Sequence, residues 1–236
     1  MNGSKSVGFA LDMGCSFKKI INLDVGSLER LAICGGLNTD RFDELLSWTG
    51  RQTGNVRINF RGESFVTRAV RNPVIRGCPI CLREDIPDGA DEPLKHLAMQ
   101  GHWQLREVSV CLVHRHHLVP LWEQSVPTAR YDYSERLREI LPNLMNGDFD
   151  RPPISPSPYD HWLDARLETG QDKTWLAQHS LYAATTFCRL LGTELLRLEA
   201  PSNLDDEAQR RLAQAIGFKV ARHGEAAIRD ALDALA

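Results

Sequence analysis

The chain has 236 residues, of which 42% are hydrophobic and 25% charged, a composition that excludes disordered and fibrous classes. Its formal net charge of -3 carries no global basic signature, so contact with nucleic acid has to come from a local patch. No apolar stretch approaches the roughly 20 residues a membrane span needs, and Asp12 interrupts the short N-terminal apolar run that a secretory signal would require. The cytosol is therefore the expected compartment, with no membrane partner. Six cysteines in a reducing compartment are not a disulfide framework. Cys15, Cys34 and Cys188 stand alone and are expected to be small buried hydrophobes.

Residues 20–50 read as two short helices. Leu28, Leu31 and Ala32 share one face of the first, which Gly35 and Gly36 terminate. Thr39 or Asp40 caps the second, which carries Phe42, Leu45 and Leu46 on one face and ends by Gly50. Such a pair is either half of a helix-turn-helix or a plain helical hairpin. Residues 51–83 then set seven arginines (Arg51, Arg57, Arg61, Arg68, Arg71, Arg76 and Arg83) against one acid, Glu63. Arginine's planar fork suits bidentate contact with phosphate, so the first six are candidate nucleic-acid contacts. The alternative is a solvated face balanced by the acids that follow, from Glu84 to Glu92. Alternation at Val56, Ile58 and Phe60 predicts one short strand.

Residues 84–101 read as a polar loop, and 103–121 as strand-like, with Trp103 and Leu105 followed by Val108, Val110 and Leu112. A helix is expected near 134–145. The run Pro152 to Pro158 can continue neither a helix nor a central strand and reads as a linker. Beyond it, 159–236 reads as wholly helical, with apolar positions suited to a bundle core. The expected fold is mainly α, an α-rich α+β protein. Its parts are a helical, helix-turn-helix-like region over 1–70, a zinc-ribbon-like segment over 71–122, a helix and proline-rich linker over 123–158, and a helical domain over 159–236.

One constellation carries chemistry. Cys78-Pro79-Ile80-Cys81 and Cys111-Leu112-Val113-His114 are two knuckles of the same x2 spacing. A zinc ion takes four N or S ligands tetrahedrally, and two tight turns supply them in pairs. Cys78, Cys81, Cys111 and His114 would fill the sphere, leaving no position for substrate, so the expected zinc ion is structural and the protein is not an enzyme. His116, His117 and His102 are alternative fourth ligands. The competing reading is a thiol-redox pair at Cys78 and Cys81, which requires a strand before the motif and a helix after it. The residues following Cys81 read as loop instead. No phosphate-binding loop, nucleophile elbow or deaminase motif accompanies these knuckles.

The run Arg76 to Asp85, then His102-Trp103-Gln104-Leu105, then Cys111 to His114 resembles the TniQ family. Leu11 to Cys15, Leu28 to Ala32 and Trp48-Thr49-Gly50 look like the helical start of the same domain. Ala215 to Phe218 and Ala226 to Arg229 are similar to C-terminal parts of such proteins. The resemblance implies a zinc-binding accessory protein of DNA transposition. Members bridge target DNA, or a targeting complex bound to it, to an AAA+ ATPase that recruits the transposase. DNA, that ATPase, a targeting complex and a second copy of the chain are thus the expected partners; a protein-interaction adaptor without DNA contact is the alternative. By the same resemblance the chain lacks a first family helix and reads as N-terminally shortened. With only Cys188 after Cys111, it also lacks the second cysteine-rich site of some members.

Overall fold

A computed structural model describes residues 6–198 and 205–235. Helices dominate, with three small antiparallel sheets, so the fold is α-rich α+β. The N-terminal helices are α1 (Ser6–Asp12), α2 (Phe17–Ile21), α3 (Val25–Cys34) and α4 (Thr39–Ser47). Each of the last three starts on a side-chain oxygen that accepts from an otherwise unpaired N–H of the first turn: Ser16, Asp24 and Asn38. The two helices expected within 20–50 are α3 and α4, although the cap of α4 is Asn38 and not Thr39 or Asp40. Leu28 and Ala32 of α3 are buried, whereas α4 buries no residue fully.

The arginine-rich stretch holds more strand than expected. β1 (Arg51–Gln52), β2 (Arg57–Phe60) and β3 (Glu63–Val66) form a three-stranded sheet, followed by the single turn α5 (Thr67–Val70). Ile58 and Phe60 alternate inward as the pattern requires, while Val56 stays exposed. Phe60 pairs with Glu63 across a two-residue turn in which Arg61 and Gly62 both take positive φ. That is the backbone twist a tight hairpin demands, and single alternation patterns cannot reveal it.

β4 (Val74–Gly77) leads into α6 (Pro79–Glu84) and pairs with the later β7 (Val119–Glu123). Between them, β5 (Val110–Cys111) and β6 (His116–His117) make a second hairpin. Strand-like structure therefore begins at Val110. Trp103 lies instead in a 3-10 turn over Gly101–Gln104, where its ring packs against Gly77. A Cβ on Gly77 would meet Leu121 Cδ1 at 2.8 Å, so the bare backbone is what lets this layer close.

α7 (Pro127–Arg130) and α8 (Tyr133–Met145) follow, then the proline run, then α9 (Pro158–Thr169). α9 starts with a reciprocal capping box between Ser157 and Asp160 and stops at Gly170, φ 68°. The proline run is strapped to the second hairpin. Arg151 N–H donates to His116 Nε2 and Ile154 N–H to the Arg115 carbonyl, at 2.8 and 2.7 Å.

The chain ends in α10 (Leu181–Leu198), α11 (Asp206–Ala221) and α12 (Glu225–Asp233). α10 and α11 meet backbone to backbone: a Cβ on Gly192 would stand 1.8 Å from the Ala213 carbonyl oxygen, and one on Gly217 1.8 Å from that of Cys188. One buried cluster runs from Ile58 and Phe65 through Trp103, Leu121 and Leu144 to Tyr159, Leu181 and Phe218. Arg166 of α9 bolts the first sheet to the C-terminal helices. It donates to Glu63 Oε1, Asp172 Oδ2 and the His179 carbonyl, while Glu63 Oε2 accepts from the first N–H of α10, Leu181. Cys188 is buried as expected of a small apolar residue, but Cys34 is exposed in the last turn of α3. No helix among the described residues is long and apolar enough to cross a membrane.

Candidate metal centre

Two local structures bring the knuckles together. Cys78 is the N-cap residue of α6, Pro79 supplies the fixed φ of the first helical position, and Cys81 follows one turn later. Cys111 closes β5, and the four-residue loop to His116 carries His114, with Arg115 at φ 51°. The β4–β7 pair carries α6 and the hairpin on one frame.

The result is a cluster whose ligand atoms, three Sγ and one imidazole nitrogen, lie within 4.8 Å of one another. His114 Nδ1 is 3.1 Å from Cys81 Sγ and 3.7 Å from both Cys78 and Cys111 Sγ; Cys81 and Cys111 Sγ are 3.5 Å apart. A tetrahedral ion bound to sulfur at about 2.3 Å sets its sulfurs roughly 3.8 Å apart, so these spacings fit such an ion. Cys78 and Cys111 are buried, Cys81 and His114 half-buried. The other imidazole nitrogen, His114 Nε2, lies 2.8 Å from Glu84 Oε2. That bond fixes the tautomer which leaves the Nδ1 lone pair facing the thiols, the usual support for a ligating histidine.

Charge in the cluster is concentrated. Hydrogen bonds from the Cys78 and Cys81 thiols hold Cys111 far below the ordinary thiol range, and the same contacts to Cys111 push Cys81 and Cys78 up. Burial pulls His114 down, but its contacts with Cys111 and Glu84 outweigh that and raise it. Three thiols that cannot all ionise together without a cation are the donor set that a thiophilic divalent metal satisfies.

The alternative histidines are occupied otherwise. His116 is buried, with Nδ1 2.7 Å from the His117 carbonyl and Nε2 accepting from Arg151 N–H. His102 fills space between Trp48 and Trp103, ring centroids about 6 Å from each, and burial lowers its pKa. His117 stands outside the cluster. Leu82 to Glu84 complete a short helix where loop was expected, because Pro79 starts a helical turn that composition alone hides, and the loop begins after Asp85. The local frame of the redox reading, strand then helix, is thus present. What separates the two readings is that Cys111 and His114 join the same pair of thiols.

The candidate arginines disperse. Arg51 and Arg57 are exposed on β1 and β2. Arg61 is held inside the fold by Glu44 at 2.9 Å, by the carbonyls of Leu167 and Glu168, and over the Trp48 ring at 4.3 Å. Arg71 is half-buried at the end of α5. Arg76 donates to the Leu105 carbonyl, and burial brings its pKa down to about 10. Arg83, left outside the candidate contacts, is paired twice with Asp150 at 2.7 and 2.8 Å. Only Arg68 lines the large cleft between α5 and the C-terminal helices, where it meets Arg106, Arg189, Arg197 and Arg210. Sequence reasoning missed those four, and missed Glu84 as the partner of His114. The arginines share no short segment, and Glu84 reads in sequence only as one of several acids.

Residues 8–118 match the sequence model of the TniQ family. That span belongs to the TniQ family. The matched span runs from α1 to the hairpin that carries Cys111 and His114, so both knuckles lie inside it. TniQ membership gives the protein an accessory role associated with DNA transposition, alongside DNA and the transposase machinery. No curated protein and no solved structure matches the chain.

Proposed function

We propose that this TniQ protein is a zinc-scaffolded, non-catalytic cytoplasmic accessory factor that bridges target DNA, or a targeting complex bound to it, to an AAA+ transposition ATPase. The observation that carries the proposal is the four-ligand cluster inside the family-matched span. Cys78, Cys81, Cys111 and His114 use every ligand position of a tetrahedral ion, which suits a scaffold and leaves no site for a substrate. Bound there, a zinc ion supplies a cross-link between α6 and the β5–β6 hairpin. This chain's own residues do the rest: Glu84 orients His114, and the strapped proline run covers the hairpin through His116 and Arg115. Under this reading α3 and α4 serve as the helix-turn-helix-like part and the C-terminal helices as a partner-binding body.

Metal content of the purified protein, beside a Cys78→Ser variant, tests the scaffold. The expected result is one zinc per chain in the wild type, and in the variant no zinc and a lower melting temperature with the helical transition retained. A pull-down with a transposition AAA+ ATPase, with and without nuclease, tests the bridge. Recovery of the ATPase supports it, and nuclease sensitivity reports whether DNA takes part. Metal-free protein whose thiols cycle under mild oxidant would replace this reading with the redox one.

A further inference from the structure

A cleft of about 920 Å³ separates the β3–α5 edge of the first sheet from the α10–α11 pair, on elements that play no part in the metal cluster. Five arginines converge on it from four places: Arg68 on α5, Arg106 in the loop before β5, Arg189 and Arg197 on α10, and Arg210 on α11. Among the described residues the acids on its wall are Glu107 and Asp206, and Glu107 accepts from Gln214 Nε2 at 2.6 Å. Among the described residues, Arg197 pairs with Glu194, but the side chains of Arg68, Arg106, Arg189 and Arg210 have no hydrogen-bond or ion-pair partner. Elsewhere the fold pairs or internally bonds Arg61, Arg83, Arg130, Arg166 and Arg211. Leaving four guanidinium groups unmatched around one concavity raises its energy by mutual repulsion, and a polyanionic occupant removes that cost.

The cleft is also organised by the fold. Its α10 wall is a single stripe, Tyr182, Thr186, Arg189, Thr193 and Leu196, at the three- and four-residue spacing of one helix face. The Gly192–Ala213 and Gly217–Cys188 contacts fix how far α11 stands from that stripe. Those contacts hold the arginines of α10 and α11 on one rigid wall.

We propose that this cleft binds the phosphodiester backbone of a nucleic-acid strand. Arginine at every basic position favours planar oxyanions, and several unpaired cations in a row match a chain charged at each repeat better than a single carboxylate. The Thr186 hydroxyl and the Tyr182 ring, half-buried on the same wall, add a hydrogen-bonding group and a flat apolar face. The inference rests on the transposition reading for its choice of partner and moves the contact surface. Of the arginines singled out in sequence, only Arg68 belongs to it, and the four others come from 106–210.

The test is fluorescence anisotropy of the full chain, zinc-loaded, with a labelled single strand and the matching duplex across a salt series. The variants are Arg189→Gln/Arg210→Gln and, as comparator, Arg51→Gln/Arg57→Gln on the exposed strands; thermal melts verify that both stay folded. The proposal expects the cleft variant to bind either probe roughly tenfold more weakly, with the slope of log affinity against log salt shallower by about two. The strand variant should bind as the wild type does. Binding that is lost only in the strand variant, or no binding to either probe at low salt, overturns the cleft assignment. So does displacement-proof binding of polyglutamate in place of DNA, which would make the cleft a seat for an acidic protein segment. Recovery of the ATPase in the pull-down is read separately, so a failed cleft and a failed transposition role give different results.

Discussion

The knuckle centre and the α10–α11 pair are both close-packed, and they achieve it by opposite chemical means. In the centre, four side-chain ligand atoms within 4.8 Å gather two short turns that have little regular structure of their own: β5 and β6 have two residues each. In the helix pair backbone meets backbone instead. Two glycines let carbonyls of the facing helix approach to where a methyl group would stand 1.8 Å away. A ligand cross-link tolerates changes in the surrounding side chains but fails with any one donor. A backbone crossing tolerates almost any surface change but fails with one added carbon. The centre should therefore respond to metal and the pair to volume, each without the other.

The largest expected effect lies at the joint between the two regions. Arg166→Ala leaves Glu63 and Asp172 inside the fold without their cation, a loss of about 3–5 kcal/mol for a buried pair broken on one side. Thermal or urea unfolding measures it. The same variant should flatten the acid limb of stability. Burial pushes the Asp172 carboxyl up, but hydrogen bonds from Thr174 and Trp162 and the charge of Arg166 outweigh burial and hold it below its ordinary 3.8. A carboxyl whose folded pKa is lowered contributes stability that is complete above the unfolded value and lost as pH falls through the folded one. Wild-type stability should drop below about pH 4, and the variant's should drop less steeply.

Next comes Gly192→Ala. The added methyl forces α10 and α11 apart against backbone atoms, at a cost of about 3 kcal/mol. Melting temperature should fall while zinc content stays at the wild-type value. A variant that lost both in parallel would show that the two regions are one cooperative unit and respond together.

The smallest effect sharpens the centre alone. Glu84→Gln keeps the shape but removes the charge that holds His114 Nε2, and metal affinity should weaken by roughly tenfold. Competition with a chromogenic chelator reads this directly, and the melting temperature of the metal-loaded protein should barely move.

The Cys/His cluster was readable because its constraint is local. A Cys-x2-Cys and a Cys-x2-His each place two ligands on one turn whatever surrounds them, and residue type names the chemistry. The α3 and α4 helices, α8 and the helical stretch after the proline run were equally plain from caps, glycine stops and apolar spacing. Less was visible where two distant segments had to agree. Three strands occupy 51–66 where alternation showed one, because β1 has no apolar pattern and depends on pairing with β2. Trp103 and Leu105 look like strand residues but sit in and just after a 3-10 turn, since their burial comes from Gly77 and Leu121 elsewhere in the chain.

Sequence by itself singled out the Cys/His quartet, the helices α3, α4 and α8 and the family resemblance, since spacing, capping and residue type act within a few positions. Tertiary structure alone decided the fate of the charges. Along the chain, seven arginines facing one acid look like a single basic segment. In the fold, Arg61 turns inward to Glu44 and Trp48, Arg83 pairs with Asp150, and Glu63 becomes the buried anchor for Arg166 and α10. Arg68 alone joins the cleft, beside arginines up to 142 residues away in sequence, at Arg210. Charge acts through space over roughly 10 Å irrespective of chain order, so which cations face one surface is a property of the packing and not of the segment.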